Sequence, residues 1–193
     1  PANDGNISGW GFIGLYPEFR AWAKNRGETV RYTTSFLEAG TTTPSGDAIR
    51  PLKNPTQTDC WNGKAYTPTN ELTEGRTKYG SNNNIRILRY ADVLLMNAEA
   101  KVRLNKNGDA PFNLVRSRAH LGELTNVTVD QILDERRMEL CCEWGERYND
   151  LVRTGKAKTV LGPKGWTEAK TYYPLPFMTV HDNPDLKKEP IGE

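Results

Sequence analysis

Residues 133–150 read LDERRMELCCEWGERYND, and a dense cluster of chemistry-bearing side chains gathers there. Asp134, Glu135, Glu139, Glu143, Glu146 and Asp150 supply carboxylates, and Cys141 and Cys142 are adjacent. Glu139 and Glu143 lie one helical turn apart, so on a helix they share a face, and paired carboxylates perform acid–base work in glycosidases. Arg136, Arg137, Arg147 and Arg153 interleave them. Glu143 to Arg147 has the favourable i,i+4 order and Asp134 to Arg137 is an i,i+3 pair. Cationic neighbours depress a carboxyl pKa, whereas a general acid needs a raised one. The stretch therefore reads as an ion-pair seam that fixes helix packing, and no enzymatic activity is expected of it.

The remaining candidates for covalent or metal chemistry are weaker. A disulfide between neighbouring cysteines inside a helix is geometrically strained. Zinc needs further ligands, and His120 and His181 show no ligand spacing to the pair. The reading is of thiols that pack as small hydrophobes. Neither histidine has a Ser, Cys or Asp partner at the spacing of a nucleophilic triad. GWGFIG carries glycines without the strand–loop–helix setting of a nucleotide fingerprint. No metal and no cofactor is expected. The 26 Lys and Arg against 24 Asp and Glu give a net charge of +2 over 193 residues. That balance offers no electrostatic case for nucleic acid or an anionic membrane. Three cysteines do not make a disulfide framework.

Aromatic residues of the first half are the other lead. Trp10, Tyr16, Trp22, Trp61, Tyr66 and Tyr79 lie among Asn, Thr, Asp and Arg. A flat ring beside amide, carboxylate and guanidinium groups suits a sugar, whose C–H face lies on the π surface and whose hydroxyls bond at the edge. Trp22, on the apolar side of a helix-like segment, reads as core. Trp10, Trp61 and Tyr66, in turn-rich sequence, fit either a core plug or a ligand platform.

These side chains depend on elements of two kinds. Residues 1–80 are rich in Gly, Pro, Thr and Asn and form a loop-rich region. Within it LYPEFRAWAKN predicts a short helix, with Pro17 in its first turn, and ETVRYTTSFL predicts a strand. Residues 81–193 are helical, with an extended, Pro-rich tail. Leu88, Ala91, Leu95, Ala98 and Val102 form one stripe in IRILRYADVLLMNAEAKVRL. PFNLVRSRAHLG predicts a second helix, antiparallel to the first across a short turn. Thr128 and Gln131 form a capping box that opens a third, whose single face runs through Val129, Leu133, Arg136, Leu140, Trp144, Arg147 and Leu151.

The helical segments resemble the C-terminal region of the SusD/RagB family, the outer-membrane nutrient-binding lipoproteins of Bacteroidetes. The resemblance is carried by Arg89, Tyr90, Ala91 and Asp92, then by Asn113, Val115, Arg116, Arg118 and Ala119. A third set is Glu135, Arg136, Arg137, Glu139, Leu140, Glu143, Arg147, Tyr148, Asp150, Leu151 and Arg153. YYPLP and NPDLK in the tail are similar to the family's ending. The likeness is specific from about Ile85 to Leu186. Cys141–Cys142 departs from the usual small or aliphatic plus aromatic pair, and KKEPIGE departs from the common terminus.

The resemblance implies a mainly α fold: a tetratricopeptide-like helical scaffold with a large loop-rich region and little strand. It implies the C-terminal portion of a longer protein, with the lipid anchor and several helices lying outside this sequence. The implied function is non-catalytic binding of oligosaccharides at the cell surface, for delivery to a SusC-like TonB-dependent outer-membrane transporter. Trp10, Trp61 and Tyr66 are the expected ligand-binding residues. The alternative is a peptide- or protein-binding module of tetratricopeptide type.

Overall fold

Pro17 opens the first helix, α1 (Pro17–Asn25), where its missing N–H costs nothing; Glu18 in the first turn and Lys24 in the last complement the helix dipole. The computed structural model describes residues 14–50, 59–72, 84–173, 175–183 and 185. Helix dominates these residues, and the strands are short.

The strand expected over ETVRYTTSFL is replaced by a helix, α2 (Val30–Ser35), followed by a three-residue strand, β1 (Phe36–Glu38). Its β-favouring threonines are accommodated because Thr33 and Thr34 return their hydroxyls to the Val30 carbonyl at 3.1 and 3.0 Å. The helical turn also places Arg31, Tyr32 and Ser35 inward, all buried. Long-range partners of Arg31 thus override local propensity. Strand β1 pairs antiparallel with β2 (Cys60–Asn62), with Leu37 opposite Trp61. The turn after β2 presses on α2: a Cβ on Gly63 would lie 2.1 Å from the Thr34 carbonyl oxygen, so only glycine fits. Ala23, Tyr32, Phe36, Cys60, Met138 and Cys141 form one core. Within it Tyr32 stacks on Phe36 at 4.5 Å between centroids.

The second core belongs to three helices: α3 (Tyr90–Arg103), α4 (Asp109–Arg118) and α5 (Val129–Glu139). Leu95, Ala98, Phe112, Val115, Val127 and Ile132 fill it, flanked by Ala91 and Val102. Of the predicted stripe only Leu88 fails, since it precedes the helix and is exposed. The capping box is present, with the Gln131 N–H donating to Thr128 Oγ1 at 3.3 Å and the Thr128 N–H to Gln131 Oε1 at 2.8 Å. Asp109 ties the α5 approach to α4 by accepting from the Asn126 and Val127 amides.

The long third helix is interrupted. Helix α5 stops at Glu139, residues 140–145 turn, and α6 (Glu146–Arg153) begins anew. Cys142 at φ 61° and Gly145 at φ 82° take left-handed backbone that a helix cannot contain. The predicted face therefore holds through Leu133, Arg136 and Leu140, all buried, and ends there; Trp144 is 57% exposed.

The chain divides into two compact units at Glu146/Arg147. The second holds most of α6, α7 (Ala157–Leu161) and α8 (Phe177–Asp182), the last a short helix inside the tail expected to be extended. Within this unit the Tyr148 hydroxyl donates to the Lys170 carbonyl, and Trp166 Nε1 donates to that hydroxyl at 3.3 Å.

Candidate binding cleft

The interruption after α5 is what turns the charged stretch into a site. Helix α5 is buried on nearly all sides, and it carries Glu135 and Glu139 inward at 0% and 2% exposure. A buried carboxylate must be paired. Arg26, Arg31 and Arg116 surround Glu135 at 2.7, 2.7 and 3.1 Å. Arg31, Arg89 and Arg118 surround Glu139 at 3.1, 2.8 and 2.5 Å. Beyond the break, Glu143 meets Lys64 at 2.7 Å and Arg89 at 2.8 Å. Glu28 completes the set through Arg31 at 2.5 Å.

The expected seam is thus an ion-pair network, but its cations come from other elements. The i,i+4 geometry proposed for Glu143 and Arg147 is lost with the helix between them. Arg137 lies over the Trp22 ring, 4.1 Å from its centroid. Arg136 reaches Asp92 at 2.5 Å and Glu146 at 3.3 Å.

This geometry sets the protonation states. Burial works to raise the Glu139 pKa, but hydrogen bonds and charges from Arg89, Arg118 and Arg31 outweigh it and hold the carboxyl below its ordinary value. Burial likewise works to raise the Glu143 pKa, but hydrogen bonds and charges from Arg89 and Lys64 outweigh it and hold that carboxyl below its ordinary value too. Two carboxylates that share Arg89 and are both held ionised provide no general acid.

Above the network lies an open cleft of about 830 Å³. Its floor includes Arg31, Glu139 and Glu143, and hydroxylated residues such as Thr34, Thr43 and Ser45 line a wall. Among the described residues two aromatic side chains reach it, Tyr66 and Trp144. Tyr66 is half-buried, and its hydroxyl donates to Asp47. Trp144 Nε1 donates to the Arg86 carbonyl at 2.7 Å, which fixes the indole while more than half of it stays exposed. Aromatic surface, hydroxyls and fixed charges in one concavity suit a polar ligand with an apolar face.

The residues predicted as ligand contacts fall in different places. Tyr66 lines the cleft. Trp61 sits half-buried in β2, with Gly14 bridging its other edge, and is not among the described lining residues. Trp10 and Tyr79 lie outside the described residues. Trp22 packs against the first core, as expected, stacking on Phe19 at 5.7 Å. Tyr16 is exposed at the start of α1. Trp144, whose spacing places it on one helical face with Leu133 and Leu140, leaves that face in the structure; Gly145 directly after it is the signal for this.

Cys60 and Cys141 are buried, Cys142 is half-buried, and all three are unbridged and packed in or against the first core. Burial pushes the Cys60 thiol up to about 12. The reading of the cysteines as small hydrophobes agrees with this packing.

Comparison with known proteins agrees with the architecture. The family model described as SusD family matches residues 12–191. The chain is 39% identical to SusD-like protein P38 of Formosa agariphila over 121 residues, which cover 54% of this chain and 24% of that protein. Surface glycan-binding protein A from Bacteroides uniformis aligns with a TM-score of 0.75 at 30% identity, covering 95% of this chain and 43% of that one. Surface glycan-binding protein A from Bacteroides thetaiotaomicron in complex with laminarihexaose aligns with a TM-score of 0.72 at 27% identity, covering 93% and 41%. The fold is the tetratricopeptide-like helical scaffold of these structures. The chain spans about a quarter of the length of the Formosa relative and under half of the solved ones.

Proposed function

From the premise that the chain belongs to the SusD family, we propose that it is part of a non-catalytic, cell-surface protein that binds oligosaccharides. The observation that carries this reading is the cleft that sets Tyr66 and Trp144 beside hydroxyls and a rigid ion-pair floor. A sugar ring lies on the exposed indole, and its hydroxyls exchange hydrogen bonds with the wall and floor. Tyr66 is the ligand-contact residue that sequence and cleft have in common; Trp144 joins it. Trp61, and Trp10 within the loop-rich residues 1–80, extend the ligand surface. The similarity to surface glycan-binding proteins, one of them holding laminarihexaose, supports the glycan class. The depressed carboxyl groups support binding without turnover.

In this reading the whole protein sits at the outer membrane and passes its ligand to a SusC-like TonB-dependent transporter. The test is a glycan array and a peptide array probed in parallel with the full-length protein, followed by incubation of any retained oligosaccharide with excess protein. Retention of a defined glycan that is recovered uncleaved is expected. Retention of peptides and no glycans would replace the reading with a peptide-binding module. Cleavage of the retained glycan would make the protein an enzyme.

A further inference from the structure

We propose that the glycan held in this cleft is acidic, with a uronate carboxylate or a sulfate ester seated against Arg86 and Arg118. The inference rests on the glycan-binding reading and adds the ligand's charge to it.

The argument is one of charge balance. Among the described residues, the connected network contains four carboxylates, Glu28, Glu135, Glu139 and Glu143. It contains six cations: Arg26, Arg31, Lys64, Arg89, Arg116 and Arg118. The described lining of the cleft is also richer in cations than in carboxylates. Arg31, Lys64, Arg86, Arg89 and Arg118 line the cleft, against Glu71, Glu139 and Glu143. Glu139 is already saturated by three arginines. Water solvates the surplus while the cleft is open. A neutral ligand that displaced this water would leave the cations without compensation, whereas an anion supplies it.

The geometry of the mouth supplies the receptor. Arg118 keeps 58% of its side chain exposed while one of its amines holds Glu139. Arg86 is exposed, and its backbone carbonyl is fixed by the Trp144 indole at 2.7 Å. The Arg86 backbone is therefore anchored next to the aromatic platform, so a ring stacked on Trp144 brings its substituents towards the residue from which this cationic side chain extends. A guanidinium fork pairs two oxygens of a carboxylate or sulfate at once.

The test uses matched pairs on an array with the full-length protein: oligogalacturonates with their carboxyl-reduced counterparts, sulfated galactan oligosaccharides with their desulfated counterparts, and neutral β-glucan oligosaccharides. Calorimetry then compares the strongest pair for the wild type, Arg86→Gln and Arg118→Gln. The acidic member is expected to bind at least tenfold more tightly than its neutral counterpart. That margin should shrink in Arg86→Gln, which leaves the buried network intact, and in Arg118→Gln if that variant folds. The pair that shows the margin separates uronate from sulfate. Equal or tighter binding of neutral glycans overturns the inference while leaving the glycan-binding function standing. An acidic preference unchanged in Arg86→Gln also overturns it. Retention of no glycan overturns both.

Discussion

Glu139 shows how one side chain can be decisive for the structure without doing chemistry. It is 2% exposed and is met by Arg31, Arg89 and Arg118. Removing its charge takes a carboxylate partner from Arg31, Arg89 and Arg118 at a buried site, so Glu139→Gln should lower stability by about 3 kcal/mol in urea denaturation. An unchanged midpoint would show that the network is dispensable. The same residue sets an acid limb. The folded-state pKa values of Glu139 and Glu143 are depressed below the ordinary 4.5. Their contribution is therefore complete above about pH 4.5 and is lost as pH falls through the depressed folded values. Unfolding midpoints measured from pH 7 to pH 3 should fall along that limb, and less steeply in Glu139→Gln.

At the scale of elements, the sequence was most legible where the determinants are local. The Thr128–Gln131 capping box and the Leu95–Ala98 stripe depend on neighbours three or four residues away, and both are present. Helix α2 departs from the strand that its residues predict because its cause is remote. Arg31 is drawn inward by Glu135 and Glu139, more than 100 positions along the chain. The break at 140–145 is hidden in the sequence because apolar and charged residues keep helical spacing across it; only Gly145 marks the left-handed turn. Gly63 has a comparable part in positioning the cleft wall. A methyl group there would press on the Thr34 carbonyl at 2.1 Å. Gly63→Ala should cost about 2 kcal/mol in thermal or urea unfolding, and a neutral outcome would mean that the turn at 63–65 is free to move away from α2.

For the whole molecule, the family resemblance of the helical segments made the fold class readable, but neither it nor helix pattern could assemble the site. The cleft draws on α2, the turn after β2, the segment before α3, the end of α4 and the loop after α5. No periodicity in one sequence brings these together. Tyr66 is legible as a candidate because its aromatic ring stands in polar, turn-rich sequence, whereas Trp144 is not, because its spacing puts it on a helix face. The central claim is that these two rings hold the ligand. The most direct measurement is calorimetric titration of the full-length wild type, Tyr66→Ala and Trp144→Ala with the oligosaccharide retained on the array, alongside their melting temperatures. Each variant should bind at least tenfold more weakly, about 1.4 kcal/mol, and the exposed Trp144→Ala should melt as the wild type does. Wild-type affinity in both variants would contradict the account and place the glycan elsewhere on the protein.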